Sequence, residues 1–261
     1  MLKWMKSVVI RGCQRVNISV PMMRIRFLTR LFDFISPRQC PVCGRRLSVS
    51  EEVICASCLM HLPRTGFADA PRDNEMVRLF WGRMRQEAEW QCPVVQAAAL
   101  FRFEPASQSA VLVYALKYSS HPEYGYYLGR LLVGELPQQF FDGIEAIIPI
   151  PLARKRLRRR GYNQSEMIAR GVASLTGLPV LTDVVERLRF TASQTQLAGW
   201  ERMENVAGVF NLRRGEKIAG RHVLVVDDVL TTGATMMSCC NELLKAGGLT
   251  LSVLTACYTK G

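Results

Sequence analysis

Two adjacent carboxylates, Asp227 and Asp228, end the apolar run in "HVLVVDDVLTTGAT", and a turn rich in Thr and Gly follows at once. The residues before them are nearly all β-branched or apolar, as a strand buried on both faces of a parallel sheet must be. The carboxylates therefore fall at the strand's C-terminal end, where open α/β sheets bind ligands. In "TTGATMMSCCNELLKAGG", Met236, Cys240, Leu243 and Leu244 recur at helical spacing and Gly247 ends the pattern, which makes residues 231–235 a helix N-terminus. Free backbone N–H groups, a glycine (Gly233) that permits close approach, and the hydroxyls of Thr231, Thr232 and Thr235 suit a phosphate monoester there. The turn has no Lys and is not GxxxxGK[ST], so it does not match a Walker-type triphosphate cradle. Acids beside a phosphate repel it unless they serve an uncharged group. A vicinal diol is such a group, and the two carboxylates can accept from both hydroxyls of a ribose whose 5′-phosphate lies in the turn. The plainer alternative is that the acids favour a helix N-terminus and the threonines only form a turn.

A second anion site is available in "IPIPLARKRLRRRGYNQS", where an apolar strand at 146–150 leads into a loop with Arg154, Lys155, Arg156, Arg158, Arg159 and Arg160. Six cations in seven positions fit a pyrophosphate, a nucleic-acid backbone or a merely solvated basic loop, and the first two can coexist. A helix follows near 164–175, opened by Asn163 and Glu166 at capping-box spacing and stopped at Gly177, so its N-terminus faces that loop. Tyr162, Asn163 and Gln164 lie at this junction. The polar stretch 189–205, which contains Arg189, Gln194, Thr195 and Arg202 and has no hydrophobic period, has the character of a lid. Tyr162 and Trp200 are aromatic residues near basic ones that could stack bases.

Four cysteines form a separate chemical group. Cys40 and Cys43 precede Cys55 and Cys58 in "CPVCGRRLSVSEEVICASC", a spacing that fits four thiolates around a tetrahedral zinc ion. Such a site supplies folding energy that so short a module lacks in its own core. A redox pair is the weaker alternative, and four thiolate ligands leave no open position for a catalytic metal. Cys13, Cys92, Cys239, Cys240 and Cys257 carry no motif. His61, His121 and His222 fall in structural or solvent-facing positions.

The elements that must position these residues alternate along the chain. Strands near 97–103, 146–150, 222–228 and 250–257 are separated by helices near 107–117, 125–135 and 164–175, the pattern of a parallel sheet covered on both faces. Residues 1–36 form a basic N-terminal segment; over residues 1–39 eight basic side chains face the single acid Asp33. Met23, Phe27, Leu31 and Phe34 give that segment the period of an amphipathic helix, which either packs on the cysteine module or touches a membrane surface. The cysteine module spans 37–65, a connector 66–95 and the α/β domain 96–261. The formal charge of +12 favours anionic partners, and no apolar run is long enough to span a membrane, which points to the cytoplasm.

The segment "VVDDVLTTGAT" resembles the type I phosphoribosyltransferase signature. By that resemblance Asp227 and Asp228 hold the ribose hydroxyls of phosphoribosyl pyrophosphate and act in catalysis. The backbone of Thr231, Thr232, Gly233, Ala234 and Thr235 would hold the 5′-phosphate, Ala153, Arg154 and Lys155 the pyrophosphate, with Mg²⁺ accompanying the donor. Taken in order, "CPVC…CASC", "ALKY" at 115–118, "RRRGYNQS", "TASQTQLAGWERMENVAGVF" and "VVDDVLTTGAT" are similar to the ComF/GntX family of competence-associated phosphoribosyltransferase-like proteins, across residues 37–257. The resemblance implies an α/β, parallel-sheet type I phosphoribosyltransferase-like fold preceded by a small zinc-ribbon module with four cysteine ligands. It also implies a cytosolic protein that handles single-stranded DNA in natural transformation or DNA utilisation, with DNA-uptake machinery as partners. Arg158, Arg159, Arg160, Tyr162, Asn163, Gln164, Gln194 and Thr195 are the lid or nucleic-acid candidates. Purine-salvage relatives carry an acid where this chain has Thr231, so turnover stays open. A nucleobase-salvage transferase and a donor-sensing DNA-binding regulator remain as alternatives.

Overall fold

The computed structural model describes residues 37–84, 94–105, 107–188 and 209–259. Contacts divide the chain into Met1–Arg38 and Gln39–Gly261, and the account that follows concerns the second unit. The expected basic N-terminal helix lies outside the described residues, as does the whole of the expected lid at 189–205, with Gln194, Thr195 and Trp200.

Four parallel strands form the sheet: β1 (Val94–Arg102), β2 (Ala146–Pro149), β5 (His222–Leu230) and β6 (Thr250–Tyr258), in the order β1-β6-β5-β2. Residues 223–226 of β5 and 251–258 of β6 are all buried, which requires cover on both faces. Two further short strands, β3 (Val185–Arg187) and β4 (Phe210–Leu212), pair antiparallel as a separate ribbon that no sequence pattern announced.

The helices are α1 (Ala56–His61), α2 (Glu75–Met84), α3 (Gln108–Tyr118), α4 (Pro122–Glu135), α5 (Arg154–Arg160), α6 (Gln164–Thr176) and α7 (Ala234–Leu244). The expected strands and helices of the α/β domain are all present, with ends shifted by a few residues. The basic run expected as a loop is instead the helix α5, closed by Gly161 at φ 82°. Arg and Lys have good helix propensity, and Gly supplies the left-handed stop. Helix α6 stops at Gly177 as expected, but the capping box does not form. Asn163 makes no cap bond; its Nδ2 donates to the Ile150 carbonyl at 3.0 Å, and Glu166 pairs with Arg170 at 2.7 Å.

Helices α4 and α6 meet at glycines. A methyl group at Gly129 would lie 2.1 Å from the Ile168 carbonyl oxygen, and one at Gly171 would lie 2.1 Å from that of Tyr126. Only backbone without Cβ permits this approach, which seats α6 over β5 and β2 and aims its N-terminus at the strands' C-terminal ends.

The segment before β1 belongs to the same packed unit. Met76, Val77 and Phe80 of α2 are buried. The outer edge of β1 is occupied by residues 63–74: Ala97 N–H donates to Pro71 O and Arg102 N–H to Pro63 O, each at 2.8 Å, and Asn74 Nδ2 donates to Ala97 O at 2.7 Å. At the N-terminal edge of the sheet, Gln96 Nε2 donates to Phe140 O at 2.7 Å and to Ser252 Oγ at 3.0 Å. His222 Nε2 lies 2.7 Å from the same Ser252 Oγ.

Candidate functional site

Strand β2 sends its chain outward, and residues 179–181 return along its far side, where Ile147 bridges Val180. Strand β5 sends its chain the other way, through α7 to β6. The space between the C-terminal ends of β2 and β5 is therefore a topological switch point, where open sheets part to leave a crevice. A cavity of about 410 Å³ opens there, within the size range of small-ligand sites.

Asp227 and Asp228 are at its floor. Ser165 Oγ, from the first turn of α6, donates to Asp227 Oδ1 at 2.7 Å, and the Asp228 N–H donates to the same oxygen at 2.8 Å. Asp228 Oδ2 faces Lys117 Nζ of α3 at 3.4 Å. Enclosure by the cavity walls and then the neighbouring Asp228 carboxylate push the Asp227 acid up to about 7, against the opposing pull of Ser165, the Asp228 N–H and Lys117. Asp227 thus holds its proton more tightly than a free carboxyl does.

Beyond the carboxylates, Thr231, Gly233 and Thr235 line the cavity, and Gly233, at φ 79°, turns the chain into α7. Leu79 of α2 packs against this turn: a methyl group on Gly233 would meet its Cδ2 at 3.0 Å. The left-handed backbone and the close neighbour both demand glycine. Thr232 and Ala234 belong to the turn but not to the lining, and Thr232 Oγ1 accepts from the Ala234 N–H at 3.4 Å.

On the β2 side, Ile150, Pro151 and Leu152 line the cavity, whereas Ala153, Arg154 and Lys155 do not. Arg154 pairs with Glu186 at 3.8 Å. Of the other candidates, Arg160, Asn163 and Gln164 reach the lining, while Arg158 and Arg159 are exposed on α5. Tyr162 is half-buried, its hydroxyl donating to Leu116 O at 2.6 Å.

Arg156, one of the six expected cations, also lines the cavity, as do Lys117, Ser165 and Arg187, which were not among the expected site residues. Lys117 lies in the quoted "ALKY" and Ser165 closes the quoted "RRRGYNQS", whereas Arg187 carries no local signal. Burial first, and the like charge of Arg156 second, pull the Arg187 pKa below the usual guanidinium value, with Asp227 pulling the other way. The walls thus hold four cations (Lys117, Arg156, Arg160, Arg187) against two carboxylates, a balance that attracts a multiply charged anion.

The four expected thiols also come together. Sγ atoms of Cys40, Cys43, Cys55 and Cys58 all lie within 4.8 Å of one another, and those of Cys43 and Cys55 are 3.7 Å apart. Two thiolates sharing a tetrahedral zinc at about 2.3 Å sit about 3.8 Å apart, so the cluster is compatible with zinc. Gly44, at φ 72°, turns the first knuckle, and Cys55 caps α1 by accepting from the Cys58 N–H at 3.4 Å.

A phosphoribosyl transferase domain family matches residues 157–260. The chain is 28% identical over 229 residues to the DNA utilization protein YhgH of Escherichia coli O157:H7, covering 84% of this chain and 90% of that one. It is 33% identical over 154 residues to YhgH of Salmonella typhi, covering 58% and 67%. It is also 36% identical over 104 residues to competence protein F of Haemophilus influenzae, covering 40% and 45%. Among solved structures, an allosteric regulatory enzyme of purine biosynthesis matches with a TM-score of 0.34 and 21% identity, over 49% of this chain and a quarter (25%) of that one. No described helix is long and apolar enough to cross a membrane. One-third identity across two-thirds of a DNA-utilisation relative, together with the competence protein and the matched domain, identifies the lineage: the chain belongs to the ComF family, with a phosphoribosyltransferase domain.

Proposed function

We propose that this protein binds phosphoribosyl pyrophosphate with Mg²⁺ in the cavity between β2 and β5, and that it acts on single-stranded DNA in the cytoplasm during DNA uptake or utilisation. The observation that carries the reading is the juxtaposition of two carboxylates with a phosphate-sized turn at the head of α7, inside a cavity whose other charges are cationic. Asp227 and Asp228 accept hydrogen bonds from the ribose hydroxyls. Residues 231–235 hold the 5′-phosphate through backbone N–H groups. Ala153, Arg154 and Lys155, at the start of α5, approach the pyrophosphate, and Arg156 and Arg187 offer the cations nearest to it. Mg²⁺, arriving with the donor, would neutralise part of the diphosphate charge. Ser165 orients Asp227, and Lys117 holds Asp228 in place.

The four-cysteine module holds zinc in a structural role, consistent with a reducing compartment in which thiols do not pair as disulfides. The names of the relatives support a role in handling DNA. Isothermal calorimetry of the full chain with phosphoribosyl pyrophosphate and Mg²⁺ tests the donor site. Binding that disappears in the Asp227→Asn/Asp228→Asn double variant is the expected result, and retained affinity in that variant would refute the assignment.

A further inference from the structure

We propose that Tyr114 and Tyr118 form a stacking platform for the unpaired bases of single-stranded nucleic acid, with helix α5 following the strand's phosphates past the mouth of the cavity. This rests on the reading that the protein contacts a single strand, and deepens it by naming the surface and the chemistry.

Helix α3 buries Ala110, Leu112, Val113 and Leu116 in the core and leaves its two tyrosines on the opposite side. At i and i+4 they are neighbours on that face. They are 55% and 62% exposed, whereas Phe80, Phe101 and Phe140 are fully buried. Their ring centroids lie 6.3 Å apart with planes 28° from parallel. A base sandwiched between two rings needs about 7 Å, twice the roughly 3.4 Å spacing along a strand, so the pair stands near that opening. Base stacking on such rings tolerates any sequence, because every base has a π-face.

The charge that would hold the phosphates is adjacent. The Arg160 guanidinium lies 5.3 Å from the Tyr118 ring centroid, and its Nε is buried with no hydrogen-bond partner. Tyr114, Lys117, Arg156 and Arg160 all line the cavity, which makes the platform, α5 and the donor site continuous. Lys155, Arg158 and Arg159 are exposed and meet no acid among the described residues. Tyr162, an expected stacking residue, has its hydroxyl tied to Leu116 O and is half-buried, so it presents no comparable free face.

Fluorescence anisotropy of the full chain with a labelled oligothymidine, measured over a range of salt concentrations, tests this. The Tyr114→Leu/Tyr118→Leu variant, which keeps apolar bulk but no ring, is expected to bind at least about tenfold more weakly with an unchanged salt slope. The Tyr114→Phe/Tyr118→Phe variant should keep its affinity, and Arg158→Gln/Arg159→Gln should flatten the slope by about 1.4. A strand carrying 2-aminopurine should lose fluorescence on binding the native protein and not on binding the leucine variant. If the native protein binds the strand and the leucine variant binds it equally, the platform is refuted while the single-strand reading survives. If the native protein binds no strand, both fall. A duplex bound as tightly as the single strand would overturn the claim for unpaired bases.

Discussion

The two ends of the sheet both carry clustered polar groups, and they use them in opposite ways. At the N-terminal edge, Gln96, Ser252 and His222 satisfy one another and the Phe140 carbonyl. Burial, the largest influence, lowers the His222 pKa and favours the neutral ring. At the C-terminal edge, Asp227 lies against Asp228, and Arg187 feels the like charge of Arg156 as well as the opposite charge of Asp227. Ser165 and Lys117 relieve that only in part. A fold gains nothing from such crowding, since a satisfied network or apolar packing would be more stable. The contrast separates polar residues that finish a core from polar residues that crowd their charges into an open cavity, the pattern expected of a binding site.

The largest expected effect tests how the C-terminal edge is held. Gly129→Ala drives a methyl into the backbone of α6 and should cost about 3 kcal/mol in denaturant unfolding. Because α6 carries Ser165, donor affinity should fall as well; a variant that loses stability but binds the donor normally would detach the glycine seat from the site. Ser252→Ala removes the hydroxyl shared by Gln96 and His222 and should cost about 1–2 kcal/mol. Donor affinity should not change, and any change would break the separation between the edges.

The smallest expected effect has the opposite sign. A carboxyl whose pKa is raised from 3.8 to about 7 on folding binds its proton more tightly in the native state. Native stability therefore falls as pH rises from about 4 and is lowest, for this group, above 7. Asp227→Asn removes that penalty but also weakens the hydrogen bonds from Ser165 and the Asp228 N–H, so the net gain in stability at pH 8 should be on the order of 1 kcal/mol, with little gain at pH 4. Thermal unfolding at the two pH values measures it, and a loss of stability at pH 8 would show that Asp227 is satisfied in the way Ser252 is.

The parallel strands were legible because their apolar runs are long and bounded by turn signals, and the thiol cluster was legible from spacing alone. Residues 231–235 were legible as the turn into a helix because Gly233 and the threonines follow the apolar run and a helical period comes after them. The ribbon of β3 and β4 was not, since three-residue strands far apart in sequence show no period. The run at 154–160 looked like a loop because it has no apolar face, yet Arg and Lys propagate a helix well once a turn exists. Arg187 escaped notice for another reason: it joins the site only through tertiary approach of elements distant in the chain.

The hydrogen bonds that residues 63–74 make along β1 have a consequence for any shortened version of the protein. Without them the outermost strand would present a row of bare amides and carbonyls, a template on which further chains could add. The matched transferase region begins well after this guard. A fragment chosen by those bounds would leave behind the guard, β1 and β2, exposing β6 and β5 as new margins and inviting precipitation.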